Sequence, residues 1–299
     1  MLHFPVLLEE AIGFLIANKN GTFADCTFGR GGHSKLILKN ISDKGRLTAF
    51  DKDPDAVSYA NNFIKDKRFN IIYKSFNKID ESFPSNSLDG ILFDLGTCST
   101  HFDDKTRGFS FRDDGPLDMR FDFNKGNPVS KWINNASEKE IADVLFKYGQ
   151  EKNSKSIARA ICLSRSKNKI DTTSKLAEII LSVTPRKKSK IHPATKSFQA
   201  LRIYVNDELN ELEEALEKAK KIIKVDGIIV TISFHSLEDS IVKKFFQTKV
   251  KSFPREIPIN SIITKEFECI AKKIRPSIDE ISTNKRSRSA IMRVFKRLP

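Results

Sequence analysis

The architecture turns on residues 25–38, DCTFGRGGHSKLIL. An apolar, strand-compatible run, TFADC from Thr22, leads into this stretch, and its own second half suits a helix. Between the two stand Gly29, Gly31 and Gly32. Glycine tolerates positive φ and lets a ligand approach the backbone, while a helix start offers amide N–H groups to a carboxylate or phosphate. The stretch therefore reads as a nucleotide-type site after a first strand. The next strand-like run, RLTAFD from Arg46, ends in Asp51, 51 − 29 = 22 residues after the first glycine. That is close to the spacing at which an acidic side chain meets ribose hydroxyls. An aspartate there is also an ordinary helix cap, so loop and acid together say more than either alone.

Working outward, FNIIYK from Phe69 and GILFDLG from Gly90 continue an alternation of strands with helical patterns, which predicts βαβ units and a parallel sheet. One helix starts near Gly32 and another follows with Pro54 in its first turn. Before the first strand, FPVLLEEAIGFL places Leu8, Ile12 and Leu15 on one face and predicts a short amphipathic helix. After DLG the rhythm stops. Residues from about 103 to 200 read as a Gly/Asp/Phe-rich loop and then helices, with Ser137 and Glu140 at capping-box spacing. QALRIYVNDELNELEEALEKAKKII predicts one long helix leading into a strand, DGIIVTIS; a basic segment, TKEFECIAKKIRPS, follows, and RSRSAIMRVFKR predicts a last strand. The expected fold class is α/β and Rossmann-like, with a discontinuous sheet domain over 1–102 and 203–299 and an inserted all-helical domain over 103–202.

The chain has 299 residues, 39% hydrophobic and 30% charged, the balance of a globular protein with a real core. No apolar run approaches the ~20 residues that cross a bilayer, and no secretory leader is evident, so the expectation is a cytoplasmic protein without a membrane partner. Lys+Arg 52 against Asp+Glu 38 gives 52 − 38 = +14. Such an excess points to a polyanionic partner, or blandly to genome base composition. Cys26, Cys98, Cys162 and Cys269 form no CxxC pair, which argues against a disulfide framework and a zinc ribbon. Cys98 and His101, with Cys26 and His33, are the one grouping that resists this reading, and no metal is expected.

The loop spacing is GxGG rather than GxGxxG, and Asp25 introduces it. Methyltransferases that use S-adenosyl-L-methionine have such loops, with the ribose on the strand-end acid, and Asp94 in FDLG would reach into the same crevice. An NAD(P)-dependent dehydrogenase fits the loop and Asp51 but lacks a hydride-transfer acid and the full glycine spacing. A non-catalytic nucleic-acid-binding protein fits the charge but leaves the loop unexplained.

HFPVLLEEAI, DCTFGRGGHS, DGILFDLGTCS, RGFSFRDDGPLDMR, HPATKSFQALRIYVNDEL, ISFHSLEDS and NKRSRSAIMR occur in this order. Together they resemble the bacterial 16S rRNA cytosine-N4 methyltransferase family over nearly the whole chain. The resemblance implies a class I enzyme that uses S-adenosyl-L-methionine to methylate N4 of a cytidine in the decoding centre, with 16S rRNA or the 30S ribosomal subunit as partner. A homodimer and the methylation of another RNA or DNA amine stay open. Carried over by position, the cofactor residues would be Gly31, Gly32, His33, Asp51, Phe76 near the adenine, and Asp94. His101 stands where the family has a cofactor-contacting glutamine, Cys98 replaces a serine and Cys26 a glycine, and NKRSRSA carries lysine where proline is common. Histidine lacks the paired donor and acceptor of glutamine, which puts that contact in question.

The exocyclic amine of cytosine is a poor nucleophile, so acceptors must hold its N–H groups while the methyl waits in line. Asp94 is the first catalytic candidate, with a strand-end cap as its bland reading. The base must leave its stack. RGFSFRDDGPLDMRFD supplies Phe109 and Phe111 for stacking, Arg107, Arg112 and Arg120 for phosphates, and Asp113, Asp114 and Asp118 as amine acceptors, although the phenylalanines could simply anchor a loop. In SFHSLED, Ser236 reads as a helix N-cap and His235 as pocket lining, without a GxSxG nucleophile elbow. Arg186, Lys187, Lys188, Lys190 and Lys196 around His192, with Lys285, Arg286, Arg288 and Arg293 near the C-terminus, are the expected RNA contacts.

Overall fold

The computed structural model describes residues 5–184, 192–247 and 265–299. It divides into two compact units, one made of residues 1–96 and 209–299 and the other of residues 97–208.

The first unit starts with helix α1 (Leu8–Leu15), strand β1 (Thr22–Asp25), α2 (Gly32–Asn40), β2 (Arg46–Asp51), α3 (Pro54–Phe63), β3 (Phe69–Tyr73) and β4 (Leu88–Asp94). The expected strands are all present. In the second unit follow α4 (Ser99–Asp103), α5 (Val129–Ile133), α6 (Glu138–Gly149), α7 (Ser154–Arg165), α8 (Thr173–Val183) and α9 (Thr195–Asn206). The chain then runs through α10 (Glu208–Ile222) into β5 (Ile223–Ser233), α11 (Ser236–Phe246), β6 (Phe267–Ile274), α12 (Ile278–Thr283) and β7 (Ile291–Arg297).

Among the described residues the strands form one seven-stranded sheet in the order β3-β2-β1-β4-β5-β7-β6. The first five run parallel and β7 pairs antiparallel with both β5 and β6. The order reverses between β1 and β4, the switch point whose carboxyl edge opens a crevice in doubly wound sheets. Both faces are buried. Because side chains alternate along a strand, Phe23, Leu92 and Val230 pack with α1 and α2 on one side, and Ala24, Ile91, Phe93 and Ile229 pack with α10 on the other. Phe23, Phe50 and Phe93 are fully buried, each stabilising the sheet by roughly 2–3 kcal/mol.

One expectation fails here, and one strand lies in a segment to which the sequence assigned no element. The long helix is two, α9 and α10, separated by Asp207 in the left-handed region at φ 53. Asn206 ends α9 with its side chain turned to the loop that precedes α5, accepting from Phe121 N at 2.7 Å and donating to Met119 O at 2.7 Å. The basic segment TKEFECIAKKIRPS contains β6, an edge strand whose half-exposed, charged alternation hides its strand character.

The second unit has its own core, in which Ile141 and Leu145 of α6, Ile157 and Ile161 of α7, Leu176 and Ile180 of α8 and Phe198 and Leu201 of α9 meet. Ser137 caps α6 in a reciprocal capping box with Glu140, as the spacing predicts.

Candidate active site

The polar groups of the first unit gather where β1, β2 and β4 end. β1 ends in Asp25, which is buried; its carboxylate accepts from Ser34 Oγ at 2.6 Å and from Thr27 N at 3.1 Å. Removal from water pushes its pKa up from 3.8 to about 6 against the opposing pull of those hydrogen bonds, with the charge of Asp51 adding to the rise. Thr27 Oγ1 in turn accepts from Asp94 N at 2.7 Å, which stitches the loop after β1 to the end of β4.

Asp51 holds the other side of the loop. One carboxylate oxygen accepts from Gly29 N and the other from Asp53 N, both at 2.8 Å. Asp53 then caps α3 by accepting from Asp55 N at 3.0 Å. The helix-cap role weighed for Asp51 thus belongs to its neighbour.

The glycines are required by shape. Gly29 and Gly31 have φ 54 and 71, and a Cβ on Gly31 would lie 2.7 Å from the buried ring of Phe28. A Cβ on Gly32 would lie 2.4 Å from Pro5. Gly31 is the N-cap of α2 and offers no capping side chain, so the helix begins with amide groups that suit a ligand carboxylate. His33, in that first turn, is buried; its Nε2 lies 3.2 Å from Val6 O, and its Nδ1 lies 3.6 Å from Asp94 Oδ2. The carbonyl can only accept, so Nε2 carries a proton and Nδ1 faces the carboxylate. Phe76, in the turn after β3, is half-buried with its ring edge-on to Phe93 at 5.8 Å.

His235 lies at the end of β5, where it, and not Ser236, is the N-cap of α11. Its Nδ1 accepts from Glu238 N at 3.4 Å, and Glu238 returns acceptors to the amides of Phe234 and His235. This reciprocal pairing overrides the usual preference for serine.

His101, Phe109, Phe111, Arg112, Asp118 and His192 belong to the second unit, and the C-terminal basic residues to the first. His101 is buried, stacked on Phe109 at 5.0 Å and beside Phe121 at 5.1 Å, with Nδ1 at 3.5 Å from Cys98 Sγ. Burial pushes the Cys98 thiol up, but His101 and Thr100 outweigh it and hold it below the ordinary thiol value. Phe109 is part of the hydrophobic core, which matches the loop-anchor reading. Phe111 and His192 come together as a stacked pair at 4.5 Å, and Arg112 beside them is exposed. Asp118 is engaged by Arg120 through two bonds of 2.7 Å, and Arg120 also donates to the carbonyls of Lys125 and Gly126. Arg107 is buried and donates to Phe121 O at 2.8 Å. Arg107 and Arg120 are therefore internal braces in place of the phosphate contacts expected of them. Arg293 likewise forms a two-pronged pair with Asp239 at 2.7 and 3.0 Å, while Lys285, Arg286 and Arg288 are exposed. Arg186, Lys187, Lys188 and Lys190 lie outside the described residues.

Sequence reasoning overlooked Thr27, Ser34 and the Val6 carbonyl. A readable signal existed for Thr27, two residues after an aspartate, where side chains commonly accept from the backbone. Nothing in the spacing announces Ser34, nine residues on.

A profile of the MraW methylase family matches residues 1–298. The ribosomal RNA small subunit methyltransferase H of a Marinomonas species is 45% identical over 304 residues, covering 99% of this chain and 97% of that protein. The proteins of the same name from Nitrosomonas eutropha and Stenotrophomonas maltophilia are each 44% identical, covering 99% of this chain and 98% and 93% of their own lengths.

Proposed function

The chain belongs to the MraW methylase family, and from that premise we propose that it methylates N4 of a cytidine in the decoding centre of 16S rRNA, using S-adenosyl-L-methionine. When bound, that cofactor supplies an electrophilic methyl group. The residues present suit it: the uncapped start of α2 for its carboxylate, and Asp51 for its ribose. Gly31 and Gly32 shape the loop by admitting Phe28 and Pro5 where a Cβ would stand, and Phe76 offers an aromatic ring for the adenine.

The observation that carries the reading is the pairing of Asp94 with the buried His33 at the carboxyl ends of β1 and β4. Asp94 accepts an N–H of the exocyclic amine and holds the nitrogen towards the methyl group. Because Nε2 of His33 is committed to Val6, a proton reaching Asp94 can be shared with Nδ1. The excess of positive charge favours a polyphosphate substrate. Phe111, Arg112 and His192 are the exposed or half-exposed residues of the second unit best suited to contact RNA, and we assign that unit to substrate recognition. Among the described residues no helix is long and apolar enough to cross a membrane, which accords with a cytoplasmic enzyme.

The test is methyl transfer from radiolabelled cofactor to naked 16S rRNA and to 30S subunits, with the modified base mapped. Asp94→Ala should abolish transfer while cofactor and RNA still bind. Transfer that survives this change would remove Asp94 from the chemistry, and label on another base would refute the substrate assignment. The same two substrates decide between free RNA and the assembled particle, and light scattering decides between monomer and homodimer.

A further inference from the structure

The glycine loop, α2 and α3 together place an aromatic and cationic patch on the first unit. Phe63, the last residue of α3, is 66% exposed, a costly position for a phenylalanine. Its ring stacks on Tyr59, one turn earlier, at 4.6 Å and 29°. Tyr59 carries two cations: the Lys35 ammonium of α2 at 5.2 Å and the Arg30 guanidinium of the glycine loop at 5.5 Å from its ring centroid. Lys35 Nζ also donates to the Tyr59 hydroxyl at 3.1 Å, and Arg30 donates to Asp55 O at 3.2 Å, so the cations are held in place. Lys65 and Lys67, both exposed, follow in the chain.

We propose that Tyr59, Phe63, Lys35 and Arg30 form a second RNA-binding site, which stacks one unpaired base of the substrate on Phe63 and neutralises its flanking phosphate. The proposal rests on the reading that RNA is the substrate. A ring already stacked on one side, with its outer side exposed, extends a stack at little ordering cost, and every base has a face to offer. The cations select an anionic chain. A second copy of this protein, itself at +14, is disfavoured on the same patch.

Phe63→Ala should raise the KM for RNA about tenfold, leaving kcat and the Kd for S-adenosyl-L-methionine unchanged. Phe63→Tyr keeps a stacking ring and should restore the KM. Lys35→Gln should lower the slope of log affinity against log salt by about 0.7, the contribution of one single-strand phosphate, whereas Phe63→Ala should leave that slope alone. An unchanged KM in Phe63→Ala, with the wild-type enzyme still methylating the RNA, overturns the site and spares the activity. No methylation by the wild type overturns the activity itself. A fall in molecular mass by light scattering in Phe63→Ala would show the patch to be a protein interface, which also overturns the proposal.

Discussion

Replacing Asp25 by asparagine isolates the electrostatic cost built into the glycine loop. Asp25 is buried at the end of β1 and its folded pKa is about 6 against an ordinary 3.8. At about 1.4 kcal/mol per pKa unit, the ionised form is disfavoured by about 3 kcal/mol in the folded chain. The sign follows from proton binding: between pH 4 and pH 6 the folded state holds more protons at this site than the unfolded state, so the stability attributable to Asp25 falls as pH rises through that window and is level above it. Asparagine cannot ionise. The stability of Asp25→Asn relative to wild type should therefore increase by about 2.4 kcal/mol from pH 4 to pH 7.5, the rest of the difference lying below pH 4. The comparison cancels the carboxylates other than Asp51, whose charge is coupled to that of Asp25. Its starting value at pH 4 reflects how well the amide replaces the bonds from Ser34 and Thr27. The unfolding should be followed by far-UV circular dichroism in urea, because the one tryptophan, Trp132, lies in the second unit and would not report on the sheet. A carbon-13 titration of aspartate carboxyl groups should also lose one resonance with a midpoint near pH 6. Parallel pH profiles for the two proteins would refute the reasoning.

Asp51→Ala and Asp51→Asn should each weaken binding of S-adenosyl-L-methionine at least about tenfold by calorimetry, because both carboxylate oxygens hold backbone amides and an amide group can satisfy only one; unchanged affinity would exclude Asp51 from the site. Gly31→Ala forces a side chain into a positive-φ position against Phe28, at a cost of at least about 1–2 kcal/mol, and should lower both the Tm and cofactor affinity. Arg112→Ala should reduce the salt dependence of RNA binding, measured by filter retention. Arg120→Ala should leave that dependence alone and instead destabilise the second unit, since Arg120 braces Asp118 and two carbonyls.

The parallel strands were legible because strands buried on both faces read as short apolar runs, and Phe23–Ala24 and Ile91–Leu92 supply both faces of the sheet at once. β6 was not, since its exposed positions are charged and a single sequence gives no sign that an edge lies there. The division between α9 and α10 was equally hidden: no glycine or proline marks it, and it depends on Asn206 bonding Phe121 and Met119, more than eighty residues earlier. At the strand ends, spacing singled out acids and glycines that the fold does bring together. The arginines misled, because residue type announces a charge but not whether a neighbouring carboxylate already holds it, as Asp118 holds Arg120 and Asp239 holds Arg293.

The acids near the loop act as much on the protein as on any ligand. Asp25 fixes Ser34 and Thr27, Thr27 fixes the backbone of Asp94, Asp51 fixes Gly29, and Asp53 fixes the start of α3. All but the last of these links tie the glycine loop or the helix after it to the end of a neighbouring strand, so the loop is ordered by the sheet before a cofactor arrives. Ordering a loop on binding would otherwise cost part of the interaction energy. A buried carboxylate that the fold holds at a disadvantage is thus tolerated, because its two hydrogen bonds help to place the loop amides and Asp94, the groups proposed for cofactor binding and methyl transfer.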